Sequence, residues 1–188
     1  MAEGEHRHQI KRDHYKKERR VRDTHSSFFA MINIIAVGNL KDKWIKEGCA
    51  EYAKRLGSWG GLTVTECAEQ RLPDDPSQAQ IDAALEKEGR DILSRIKGDS
   101  AVIALCIEGD MLSSEELSGK LDSFMQYGKS TIYVIIGSSY GLSDTVKKRA
   151  DLRLSMSRMT FPHRLARVMI CEQLYRAMSI SHGKKYHK

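Results

Sequence analysis

Four short strand-like runs, INIIAV (residues 32–37), LTVTEC (62–67), AVIALCI (101–107) and TIYVII (131–136), alternate with segments of helical periodicity. No other feature constrains the fold as much. Strands this apolar bury both faces, which requires helices above and below them, and intervening helices let consecutive strands run parallel. The first helical segment spans 42–56, with Ile45, Cys49, Tyr52 and Leu56 at helical spacing. Ser77 can cap a second helix, whose apolar positions are Ile81, Leu85, Ile92 and Ile96. Ser113 and Glu116 have the spacing of a capping box and open a third helix through Leu117, Leu121 and Phe124, which Gly128 can end. A short helix from Ser143, an apolar segment LRLSMS (152–157) and a long helix with Pro162 in its first turn complete the pattern. The expected class is α/β, a mostly parallel sheet with helices on both faces.

A chain of 188 residues suits one globular domain with a substantial core. No apolar run reaches the roughly 18 residues of a membrane-spanning helix, and the N-terminus lacks the apolar stretch of a signal peptide. Cys49, Cys67, Cys106 and Cys171 form no C-x-x-C pair, so neither a zinc site nor a redox dithiol is written in the sequence. Reduced thiols and a cytoplasmic location are expected. The net charge of +6 favours acidic partners such as nucleic acid without requiring one.

Residues 1–30 carry eight Lys/Arg, five Asp/Glu and four of the seven histidines, with almost no apolar residue before Phe28. Such a segment buries too little to order itself, so a flexible basic extension over 1–30 is expected ahead of a domain over 31–188. An arm that grips RNA and an upstream extension foreign to the domain are both open readings. His6, His8, His14 and His25 stand on no scaffold, and no metal is expected.

The loop IGSSYGLS (136–143), directly after an apolar strand, is the most conspicuous glycine-bounded turn. It is neither G-x-G-x-x-G nor G-x-x-x-x-G-K-[ST], which removes the support for phosphate cradling. In open α/β sheets, ligands lie beyond the C-terminal strand ends. Three segments fall there: Leu105 to Gly109, Ile136 to Gly141, and Met156 to Phe161. Gly137 permits close backbone approach, and Leu105, Met156 and Phe161 offer apolar surface to a flat base. An adenine-containing ligand held without a phosphate grip and a set of ordinary turns both fit these observations.

The stretches MINIIAVGNLKDKW, LCIEGDMLSS, VIIGSSYGLS, LSMSRMTFPHRLARVMICEQLYRA and KKYHK, in this order from Met31 to Lys188, resemble the large-subunit ribosomal RNA pseudouridine N3-methyltransferases, a family of the SPOUT class. The resemblance implies a C-terminal trefoil knot, an exception to the un-knotted rule. It also implies S-adenosylmethionine bound against Leu105, Gly137, Met156, Ser157, Arg158, Met159, Thr160 and Phe161. Where that family usually has a second adjacent glycine, this chain has Ser138, which costs affinity only if the position needs positive φ.

Transfer to a uracil-type N3 requires removal of its proton, work suited to histidine. His163 in FPH and His187 in YHK are the candidates, and His163 can equally hold a backbone group. The resemblance places the C-terminal tail near the cofactor, so Tyr186 and His187 are the expected catalytic or substrate-positioning residues. Arg153, Arg158, Arg164, Arg167 and Arg176 crowd the last quarter, and Arg164 and Lys188 are the expected RNA contacts. The resemblance further implies a homodimer through the C-terminal helix, and a target pseudouridine in helix 69 of assembled ribosomes. A SPOUT enzyme acting on transfer RNA, a ribosome-binding homologue without activity, and a flavodoxin-like module are the alternatives.

Overall fold

The computed structural model describes residues 29–184; the extension up to residue 28 and the tail residues Tyr186, His187 and Lys188 lie outside them. Five strands, β1 (Ala30–Val37), β2 (Gly60–Cys67), β3 (Ala101–Met111), β4 (Thr131–Ile136) and β5 (Leu152–Ser155), alternate with helices. The helices are α1 (Lys43–Leu56), α2 (Gln78–Arg95), α3 (Ser114–Gln126), α4 (Asp144–Arg149) and α5 (His163–Ser181). The sheet order is β2-β1-β4-β3-β5, and every pairing is parallel.

Strand periodicity divides the core in two. On one face Ile32, Ile34 and Ala36 of β1 pack with Ile45 of α1, Leu117 and Leu121 of α3, and Ile170 and Leu174 of α5. On the other, Ile35 and Val37 join Val102, Ala104, Tyr133 and Ile135 beneath Ile92 of α2 and Val146 of α4. Burying side chains of this size contributes about 1.5–3 kcal/mol each.

Helix starts follow the sequence signals. Ser77 and Ser113 both head full capping boxes, with Gln80 and Glu116 as reciprocal partners. Ser143 accepts from the Val146 amide at 3.3 Å. Pro162 departs from expectation: it is the N-cap of α5 and not a first-turn residue, and it contributes no side-chain cap.

The third strand also departs, running to Met111 instead of ending near Ile107. A register shift between Leu105 and Asp110 lets it continue along β5, pairing Asp110 with Leu154 and Met111 with Ser155. Gly109 makes this approach possible, since a Cβ there would lie 2.7 Å from the carbonyl carbons of both Arg153 and Leu154.

Candidate functional site

The C-terminal ends of β3, β4 and β5 and the start of α5 enclose a cavity of about 800 Å³, within the size range of small-molecule and cofactor sites. One wall runs from Leu105 to Glu108, a second from Ile136 to Leu142, and a third from Leu154 to Phe161 with only Arg158 missing. Pro162, His163 and Ala166 close the side toward α5. The structure thus gathers Leu105, Gly137, Met156, Ser157, Met159, Thr160 and Phe161 around one space. Arg158 is exposed and stands outside the lining.

Local chemistry shapes each wall. In the glycine loop the Gly141 amide donates to the Ser138 carbonyl at 3.0 Å, and Gly141 supplies the positive φ, +95°, that the turn requires. Gly137 is needed for space: a Cβ on it would lie 2.5 Å from the Gly141 carbonyl carbon and 3.1 Å from Leu142 Cδ2. Among the described residues no side-chain-bearing residue has positive φ, so Ser138 carries no conformational cost. The third wall is pinned by two hydrogen bonds. Ser155 Oγ donates to the Ser157 carbonyl at 3.1 Å, and the Met159 amide donates to Ser157 Oγ at 3.0 Å.

Apolar surface from Leu105, Leu142, Leu154, Met156 and Phe161 lies beside hydroxyls of Ser139, Ser155, Ser157 and Thr160. Lys147 and Glu108 pair across 2.6 Å at the edge, and the lysine holds the Glu108 carboxyl below its ordinary range. Burial pushes the Cys106 thiol upward, which keeps it protonated.

His163 stands where the cavity meets the ends of β1 and β2. Its Nε2 is 3.8 Å from the point above Gly38 where a Cβ would sit, and Glu69 Oε2 is 3.1 Å from the same point. Burial lowers the affinity of His163 for a proton, against an opposing pull from Glu69. Next to it, Arg164 pairs with Asp42 at 3.4 Å while half exposed. Arg167, expected among the possible phosphate contacts, is fully buried and bonded to Glu66, Val37 and Gly38. It serves the fold beneath the site and cannot reach RNA.

One residue escaped the sequence reading. Glu88 lies on the buried side of α2, only 4% exposed. Its Oε1 accepts from the Gln70 amide at 2.8 Å, while its Oε2 has no hydrogen-bond partner. Burial raises its pKa, with the Ser138 hydroxyl among the groups pulling the other way. The signal was the spacing: Glu88 falls between Leu85 and Ile92 on the apolar stripe.

A family model described as "Predicted SPOUT methyltransferase" matches residues 30–187. The chain belongs to the SPOUT methyltransferase family. It is 48% identical over 157 residues to "Ribosomal RNA large subunit methyltransferase H" of Bacillus pumilus, covering 84% of this chain and 99% of that protein. Identity to the protein of the same name from Listeria monocytogenes serotype 4a is 45% over the same shares. Among solved structures, a probable methylase family protein from Haemophilus influenzae matches with a TM-score of 0.46 and 15% identity, over 84% of this chain and 70% of that one.

As a SPOUT enzyme the chain is a methyltransferase that uses S-adenosylmethionine. The cavity fits such a molecule. It has the volume, a backbone wall at Gly137 whose loop leaves no room for a side chain, apolar faces for the adenine and hydroxyls for the ribose. When bound, the donor supplies an electrophilic methyl group. No helix among the described residues is long and apolar enough to cross a membrane.

Proposed function

We propose that the enzyme methylates N3 of a pseudouridine in helix 69 of large-subunit ribosomal RNA, acting in the cytoplasm on assembled ribosomes. The observation that carries this reading is the identity of 48% across 99% of a relative whose name is that of a large-subunit ribosomal RNA methyltransferase. In this reading Leu105, Gly137, Met156, Ser157, Met159, Thr160 and Phe161 hold the methyl donor. Arg158, outside the lining, is available to RNA instead. Half-exposed Arg164 can exchange Asp42 for a phosphate. Tyr186, His187 and Lys188, on the tail that follows α5, act on the target nucleotide, the first two placing the base and the lysine meeting the backbone.

The knot and the dimer belong to the same proposal. A chain that leaves β3, forms β4 on one side of it and returns to pair β5 on the other supports a trefoil threading through the cofactor loops. Leu165 and Met169 are only partly covered on α5, which supports a second copy packing across that helix. The described residues form a single α/β domain with little surface for reading sequence, so an assembled ribosome that presents the target in one geometry suits it better than free RNA.

Methyl-labelled S-adenosylmethionine, incubated with ribosomes or with free large-subunit RNA lacking the helix 69 methyl group, tests the proposal once the label is mapped by base. Label at N3 of that pseudouridine, in ribosomes and not in free RNA, is the expected result. Label confined to transfer RNA in a parallel reaction contradicts the substrate assignment.

A further inference from the structure

We infer that His163 accepts the proton leaving N3 of the target base, and that the Glu69 carboxylate is placed to stabilise the imidazolium so formed. This rests on the reading that the substrate is a uracil-type base.

The described residues hold two histidines, His163 and His182. His182 is engaged far from the cavity: its ring stacks on Trp59 with centroids 5.0 Å apart, and its Nδ1 lies 2.8 Å from the Met178 carbonyl oxygen. His163 alone lines the cavity. Its competitors there are unsuited to the task. Glu108 is committed to Lys147 and is a weakened base, and Cys106 is kept as a thiol by burial.

The surroundings of His163 match the work. The neutral imidazole is favoured by burial and by the flanking cations Arg164 and Arg167, so the ring is ready to accept a proton near neutrality. Both arginines have carboxylates of their own, Asp42 and Glu66. Glu69 is in none of the ion pairs found among the described residues, and its Oε2 is 3.1 Å from the point above Gly38 that lies 3.8 Å from both His163 Nε2 and Arg167 Nη2, with Glu69 favouring the protonated His163 ring. Its charge is therefore available to the imidazolium.

The step balances in atoms and charge. The N3 proton passes to the imidazole, the N3 electron pair forms the bond to the methyl carbon, and the carbon–sulfur pair stays on sulfur as the thioether leaves. Positive charge disappears from the sulfonium and reappears on His163, beside Glu69. An attractive carboxylate lowers the energy of that charged state more than that of the reactants.

The test uses the full chain with His163→Gln and Glu69→Gln, and reads cofactor affinity, single-turnover methyl transfer to unmethylated ribosomes across pH, and the NMR titration of the His163 ring. His163→Gln should keep cofactor affinity, lose about 10²- to 10⁴-fold in transfer rate and lose the acid limb of the pH profile. Glu69→Gln should move both the His163 titration and the acid limb to lower pH, because the group that favoured the protonated ring is gone. A wild-type rate in His163→Gln, a cofactor affinity that falls in step with its rate, or an unmoved His163 titration in Glu69→Gln overturns the inference. If the wild-type enzyme transfers no methyl to N3, the parent reading fails and takes this inference with it; wild-type transfer with an unimpaired His163→Gln removes the inference alone.

Discussion

Arg167 and Glu66 meet at 2.9 Å through Nη1 and Oε1, while the second terminal nitrogen of Arg167 donates to the carbonyls of Val37 at 2.7 Å and Gly38 at 2.6 Å. Glu66 Oε1 also accepts from the Leu40 amide at 2.8 Å. One fully buried guanidinium thereby ties α5 to the ends of β1 and β2, next to His163. Replacing it with methionine leaves two carbonyls and a carboxylate without their donor. Breaking such a pair costs about 3–5 kcal/mol, which in a domain of this size lowers the melting temperature by roughly 10 °C. Arg167→Lys should recover little, because a single ammonium cannot span three acceptors in a fork. Thermal unfolding of both variants is the check.

Glu88 makes stability depend on pH. Its folded pKa is raised by burial, so the folded state binds the extra proton between the unfolded value, near about 4.3, and the folded one. The stability from that proton is full below the unfolded value and is lost as pH rises through the folded value. Glu88→Gln keeps the acceptor for Gln70 without the charge. Its melting temperature should exceed that of the wild type by a margin that grows as pH rises from the ordinary carboxylate range upward. A margin constant across that range contradicts the assignment.

In the glycine loop, the two neighbouring positions should respond in opposite ways. Gly137→Ala puts a Cβ into the Gly141 carbonyl group and forces the loop open, and calorimetry should show cofactor affinity reduced roughly tenfold or more, about 1.4 kcal/mol per decade. The damage comes from within the loop, so even the smallest side chain suffices. Ser138→Gly should leave affinity unchanged, since the position needs no positive φ.

His187→Ala should lower turnover while S-adenosylmethionine binding stays intact, as expected of a residue that acts on the target nucleotide. Steady-state kinetics beside equilibrium binding separates the two, and a wild-type turnover number would remove His187 from the mechanism.

Deleting residues 1–28 should leave the melting temperature unchanged, since β1 and the family match both begin at Ala30.

Strands and helices were legible because apolar runs and capping boxes are local signals. INIIAV is buried on both faces within β1, and Ser77 and Ser113 begin the helices they were expected to begin. The three cavity walls were also legible, because strand ends in a parallel sheet collect ligands whatever their sequence. Long-range pairings were not. That Arg167 is structural depends on Glu66, which lies 101 residues away, and no periodicity separates it from Arg164, which is half exposed. The extra length of β3 depends on Gly109 meeting Arg153 and Leu154, and Glu88 looks like one more polar residue until Gln70 and Ser138 close around it.

A crystal structure of the enzyme with S-adenosylmethionine tests most directly the claim that one cavity at the ends of β3, β4 and β5 holds the methyl donor and opens toward His163. Cofactor density is expected between Leu105, Gly137 and the segment from Met156 to Phe161, with the methyl group directed to the side where His163 and Glu69 stand. Cofactor density at any other place on the chain, or a methyl group pointing away from His163, would contradict it.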